Sequence, residues 1–525
     1  MRQTRFLRRS GTSEFPAKGI RARLRADIFM RFAYTFADMK KLSENCKENV
    51  KSLKSILTSE DILVYQFETK DKKACAAVYA DGITDKMLLG EQVAKPLSEK
   101  TAPKTAEEAA KLLQSPENKR EKDLTKISDE VLAGNTALFI DGIAEAVIVG
   151  VKKLSMRAVM EPPTSVAVKG PREGFIEDIK TNMSLIRNRL RTPKLNFITM
   201  QVGKQSKTNV CVGYLEGIAD KKIVEKIESK IKSIEIHGIP DSSYIGKFLA
   251  EHHYSLFKQA GTTEKPDVLA AKMLEGRIAV LVDGSPIAVT LPYLLAEDFQ
   301  GPQDYFVSPY RASVSRLLRF LAVFVSIFLP AFYVAAQLFK LQLLPFGFLL
   351  TISGSIQDIP LSPSLELFFL LLVLEILIEA SVRMPKYVAL ALSVIGALVL
   401  GDTAVKAGIV SSSAIIIMAL SGISAYTVPD LVGTISILRL VFVVVAGSIG
   451  TYGILLMTAL LLFYMITADA YGTPMLAPFS PIVRKDLKDS LFKVTMTDLK
   501  TRPAVFKTKN KTRLKINEEA KDGQD

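Results

Sequence analysis

The chain has 525 residues and a formal net charge of +14, with 23% charged residues beside a mean hydropathy of +0.22. That length leaves room for two or more domains, and so high a hydropathy beside so many charges excludes a uniformly polar globule. Three widely spaced cysteines, Cys46, Cys75 and Cys211, exclude a disulfide framework and fit a reducing compartment.

Charge concentrates at the two ends. Residues 1–40 hold ten Lys/Arg against three acids, and residues 484–525 hold twelve against seven. Such ends either attract anionic lipid or are solvated tails, and the solvated tail is the expectation. The basic start has no apolar core of about 7–15 residues, so no secretory signal is expected. Neither zinc-finger spacing nor an aromatic-interleaved basic groove occurs, so nucleic acid is not an expected partner.

In chain order, residues 1–57 read as a basic arm running into a polar helix, and 58–158 as a first α/β module. Its runs CAAVYADGITDKMLL and TALFIDGIAEAVIVG are broken by Asp-Gly, a hairpin-turn signal. Residues 159–195 are a connecting helix. Ile176, Ile179, Met183, Ile186 and Leu190 recur there at helical steps, Pro171 fits the first turn, and acids precede Arg187, Arg189 and Arg191 as the helix dipole favours. Residues 196–300 form a second α/β module, where GRIAVLVDGSPIAVTLP repeats the Asp-Gly device. A duplicated unit is one reading of that repeat; with no period beyond the turn itself, coincident hairpins are expected.

Residues 301–483 form a polytopic all-α membrane domain, and 484–525 a basic cytoplasmic tail. Apolar runs occupy about 317–338, 365–382, 387–410, 413–428 and 435–466, where a span needs about 20 residues. Arg311, Arg316 and Arg319 before the first run, and Arg383 and Lys386 after the second, mark the cytoplasmic side. A tail on that side requires an even number of crossings. Five runs are odd, so one does not cross or the long fifth, rich in glycine, folds back. In the second run Glu375, Glu379 and Arg383 lie at four-residue spacing on one helix face. Charges there cost about 2.5–3.5 kcal/mol each near a bilayer centre. The face should therefore turn toward protein or water, with Glu379 and Arg383 paired and Glu375 deep.

Catalytic patterns are missing. The three histidines, His237, His252 and His253, form no metal-ligand spacing, and VGKQSKT lacks that of a phosphate loop. Neither an enzyme nor a cofactor or metal is expected.

Five blocks, GPREGFIEDIKTNMSLIRNRLRTPKL, EKPDVLAAKMLEGRIAVLVDGSPIAVTLP, RLLRFLAVFVSIFLPAFYVA, EILIEASVRMPKYVALALSVIGALVLGDTAVKAGIVS and GTPMLAPFSP, together resemble the A subunit of the GerA family of spore germination receptors. The signature helix of the resemblance carries Pro171, Arg172, Glu173, Phe175, Glu177, Asn182 and Arg187. The resemblance implies a multi-pass protein of the endospore inner membrane, with its soluble region on the core side. It implies as partners further copies of itself, in a pentamer or other homo-oligomer, a transporter-like B subunit, a lipoprotein C subunit, membrane lipid and monovalent cations, whose release starts germination. A downstream ion-release paralogue and a non-conducting scaffold are the alternative readings. SGSIQDIPLSP departs from the family pattern at Ile356, Gln357 and Asp358, which weakens any ion role for that loop.

An oligomeric channel needs a narrow helix face around its pore. Ser393, Gly396, Ala397, Leu400, Gly401 and Ala404 on the third run are the expected pore-lining set, and close helix packing is the competing account of the same small residues.

Overall fold

A computed structural model describes residues 42–153, 170–339, 359–385 and 399–514, with isolated positions at 346, 347, 354, 388, 394 and 396. The chain divides into two compact units, residues 1–155 with 190–196, and residues 156–189 with 197–525.

In the first unit, helix α1 (Cys46–Ile56), capped by the Asn45 side chain, precedes strands β1 (Ile62–Glu68) and β2 (Ala74–Ala80). Helix α2 (Ala106–Leu112), strand β3 (Asn118–Glu121), helix α3 (Leu124–Leu132) and strands β4 (Thr136–Ile140) and β5 (Ala146–Val149) follow. The sheet order is β1-β2-β4-β5-β3, with antiparallel pairings throughout. Leu53, Ile127 and Val131 pack on one face of the sheet, and Leu97, Ala109 and Leu113 on the other. Strand β4 is buried along its whole length, which accounts for its continuous apolar sequence.

The second unit opens with helix α4 (Ile179–Arg189). Strands β6 (Leu195–Val202) and β7 (Thr208–Leu215), helices α5 (Lys221–Lys232) and α6 (Ser242–Leu249), strand β8 (Gly261–Thr263), helix α7 (Pro266–Leu274) and strands β9 (Ile278–Val282) and β10 (Ala288–Leu291) complete its module. Its sheet order is β6-β7-β9-β10-β8. In each module's own numbering both orders are 1-2-4-5-3. The tight turns after the second and fourth strands recur as well, with positive-φ glycines at Gly82 and Gly142 in one module and Gly217 and Gly284 in the other. The repeated Asp-Gly device therefore marks a repeated unit, and the expectation of coincident hairpins is corrected. Sequence self-similarity was hidden because the helix-and-loop stretch between second and fourth strands differs in length and content.

The connecting helix is also corrected. Residues 171–178 are not helical, and only Ile179–Arg189 is, with Ile179 and Ile186 buried as its apolar stripe requires. Pro171 is not in a first turn, and Glu173 and Glu177 do not complement a dipole. Asp178 starts the helix instead, its carboxylate accepting from Thr181 N at 2.8 Å.

Helices α8 (Pro309–Phe339), α9 (Pro363–Arg383), α10 (Ser412–Ala425), α11 (Val432–Ile449) and α12 (Thr451–Thr467) form the apolar region. Among the described residues, Pro309–Phe339 and Pro429–Ile449 are long and apolar enough to cross a membrane, and α10 and α12 are shorter apolar helices. The fifth apolar run is two helices. Gly450 breaks it at φ 69°, and a side chain there would meet the Phe339 ring. Both free ends of this helix pair return to one loop of the second module, Thr434 Oγ1 donating to Leu256 O at 2.9 Å and Tyr464 Oη to Ser255 Oγ at 2.8 Å. The long run thus folds back, one of the two outcomes that charge asymmetry demanded.

The basic tail is folded as far as Leu514. Arg316 Nη1 meets Asp489 at 3.1 Å, Arg502 Nε donates to Leu274 O at 2.7 Å, and Arg277 lies 4.7 Å from the ring centre of buried Phe506. The solvated-tail expectation fails here because aromatic and acidic residues inside the tail supply contacts that net charge does not reveal.

Candidate functional site

Arg439 sits on α11 with 1% of its side chain exposed, inside an otherwise apolar helix. A guanidinium in that setting must be paired and hydrogen-bonded. Its Nη2 donates to Glu375 Oε1 on α9 at 2.5 Å, and its Nη1 to Ser421 Oγ on α10 at 3.1 Å. Ser421 Oγ in turn donates to Ser326 O on α8 at 2.7 Å, and Ser326 Oγ donates back to Ser421 O at 2.8 Å. One arginine and two serines thereby tie four helices together.

A second polar layer lies farther from the soluble module. Tyr333 is seven residues beyond Ser326 on α8, about 10 Å along the axis, and its hydroxyl meets Ser413 Oγ at 2.9 Å. Glu366, fully buried at the start of α9, accepts the N–H of Ser411, the residue that caps α10. The positive end of α10 favours a carboxylate at that point. Leu370, Leu371, Val334 and Phe442 are buried together in one apolar cluster of these helices.

At the foot of α8, Asp304 accepts from Arg316 Nε at 3.0 Å and from both Nη atoms of Arg319 at 2.8 and 2.9 Å. Burial alone would raise this carboxyl, but the Arg319 and Arg316 bonds outweigh it and hold it below the usual range. Nearby, burial works against the charge of Glu297, yet Arg277 and Lys272 pull its pKa down to about 2. The salt bridges are 2.5 Å to Arg277 Nη1 and 2.8 Å to Lys272 Nζ.

The expected membrane charges divide. Glu375 is half-buried, and its partner is Arg439 rather than a residue of its own helix. Glu379 and Arg383 pair as the spacing predicts, with side chains 64% and 78% exposed in the single chain. Arg439 was the functional residue that sequence reasoning missed. Its signal was a lone arginine at the eighth position of an apolar helix.

Of the expected pore-lining set, Ser393 and Ala397 lie outside the described residues, as do Ile356, Gln357 and Asp358. Gly396 faces Leu377 of α9, where an added Cβ would lie 3.6 Å from both δ-carbons. Leu400 and Gly401 belong to a single π-helical turn, Val399–Thr403, and Gly401 is exposed. Ala404 is half-buried against the helical core. Asp402 and Lys406 pair at 2.7 Å, both exposed.

The signature segment has a structural role. Lys265 Nζ donates to Pro171 O at 2.9 Å, Phe175 N to Glu264 O at 2.8 Å, and Gly284 N to Glu177 O at 2.8 Å. Asn182 holds both backbone groups of Ile176, at 2.9 and 2.6 Å, and Glu173 pairs with Arg189 at 2.5 Å. Arg187, buried, lies 5.2 Å from the Phe197 ring centre, and Arg172 is exposed. These contacts lace a non-helical segment onto the second module.

Two α/β modules are followed by a helical region whose apolar helices are consistent with a membrane domain. Residues 49–505 match the family described as Bacillus/Clostridium GerA spore germination protein, and the chain belongs to that family. It is 32% identical over 488 residues to the uncharacterized membrane protein YfkQ of Bacillus subtilis (strain 168), covering 92% of this chain and 95% of that one. Spore germination protein KA of the same organism is 32% identical over 480 residues, covering 90% and 88%. Spore germination protein GerLA of Bacillus cereus is 32% identical over 444 residues, covering 83% and 90%. The crystal structure of the N-terminal domain of the A subunit of the Bacillus megaterium spore germinant receptor GerK3 aligns at 24% identity and TM-score 0.37, covering 49% of this chain and 97% of that one.

Proposed function

We propose that this chain is the A-type subunit of a nutrient germinant receptor, and that several copies together form a cation channel in the inner membrane of the spore. Its partners in this reading are a transporter-like B subunit and a lipoprotein C subunit, and it performs no enzymatic step. The observation that carries the channel reading is where charge and small residues lie. Among the described residues the Arg439–Glu375 pair lies between the helices with apolar side chains around it, whereas Glu379, Gly401 and Asp402 are exposed. A fixed guanidinium repels cations, so a cation path runs between copies and not through a bundle.

The test is conductance of the purified oligomer in planar bilayers under a potassium gradient. Potassium current is expected, with an increased leak in Leu400→Ser, because a polar side chain favours wetting of an apolar constriction. An assembled oligomer that carries no current would make the chain a scaffold.

A further inference from the structure

A cavity of about 410 Å³ lies where α8, α11 and α12 meet the 293–299 and 476–479 segments. No charged side chain lines it, and threonine hydroxyls are its only polar side-chain groups. Both are already used. Thr434 Oγ1 donates to Leu256 O at 2.9 Å and Thr458 Oγ1 to Ile454 O at 2.7 Å. Water in a cavity needs two to four polar partners, which this one does not offer. An empty void of this size is destabilising, because its walls lose contacts on one side.

The walls are preformed. Phe299 and Phe320 stack at 3.8 Å between ring centres, and Phe324 and Phe328 at 4.7 Å. The opening is on the outer surface of the helices. Phe324 of α8 and Leu462 of α12 line the cavity and are also 51% and 48% exposed. Their outward neighbours Leu321, Leu455 and Phe463 are exposed and apolar, the surface that a helix crossing a membrane presents to lipid.

We propose that this cavity is a binding slot for one acyl chain of a membrane phospholipid. Its volume is many times the roughly 10–15 Å³ that one water-sized group needs, so it accepts a segment of one such chain. The inner wall comes from Leu295 and Phe299 of the soluble side and the outer wall from membrane helices. A bound chain therefore fills the space between Leu295 and Phe299 and helices α8 and α11.

The full-length protein, extracted in mild detergent and stripped of lipid, is incubated with phosphatidylglycerols of defined chain length and examined by native mass spectrometry. One phospholipid per chain is expected to persist, with 14-carbon chains held more than about a hundredfold more tightly than 8-carbon chains, since each buried methylene adds to affinity. Val323→Phe and Leu461→Phe narrow the slot from opposite sides. Each is expected to retain no phospholipid while unfolding at or above the midpoint of the stripped parent. Either variant that folds serves as the test. Equal retention by parent and folded variants would overturn the slot, as would non-saturating uptake. A parent that binds no lipid, while the variants change its oligomeric state, would assign the cavity to a second copy of the chain and overturn the proposal too.

Discussion

Arg439 and Glu375 illustrate how one residue decides the stability of four helices. Removing either leaves a buried charge uncompensated, which costs about 3–5 kcal/mol, whereas replacing both by apolar residues of similar volume is often neutral. Arg439→Met is therefore expected to lower the yield and unfolding midpoint of the extracted protein, and Arg439→Met with Glu375→Met to restore most of the loss. Glu379→Ala should change the midpoint little, because its pair with Arg383 is exposed and such pairs contribute about 0.3–0.5 kcal/mol. Glu297 supplies a pH test. Its folded-state pKa of about 2 lies below the model-peptide value of 4.5, so its stabilisation is complete above about pH 4.5 and is lost as the pH falls toward 2. The full contribution is about 3 kcal/mol. The urea midpoint should fall between pH 5 and 3, and less steeply in Glu297→Gln.

Single elements show where sequence pattern and local geometry part company. The apolar run 435–466 reads as one long helix, and it reverses at Gly450. That residue has φ 69° and ψ −145°, a conformation open essentially only to glycine. A Cβ there would also press on Phe339. Gly450→Ala is expected to cost about 1–3 kcal/mol, read as a lower thermal midpoint in detergent. An unchanged midpoint would mean that the two helices reverse without this turn. The signature segment makes the complementary point. Its composition fits a helix N-terminus, yet residues 171–177 are not helical and bond instead to Glu264, Lys265 and Gly284, all remote in sequence.

At the scale of the second unit, the tail joins the module to the foot of α8. Asp489 touches Arg316 at 3.1 Å and Lys493 at 3.0 Å, and Arg513 reaches Glu275 at 3.8 Å. Deleting residues 485–525 exposes the Arg277 and Phe506 contact region and removes one partner of buried Arg316. The shortened protein is expected to show faster amide exchange in α7 and in the first two turns of α8, with α1 and β4 of the first unit unchanged. Uniform protection of α7 in both proteins would show that the tail is an appendage.

The sequence by itself determined the two α/β modules, the apolar helical region and the need of Glu375 for a partner. These follow from short-range signals: hydrophobic period, glycine turns and the cost of charge in an apolar helix. The family blocks were legible there as well. Tertiary structure alone decided that the modules share one strand order, that Glu375 pairs with Arg439, and that the tail is docked. Each joins residues dozens to hundreds of positions apart, and neither hydropathy nor spacing along a helix encodes which distant group a buried charge will meet.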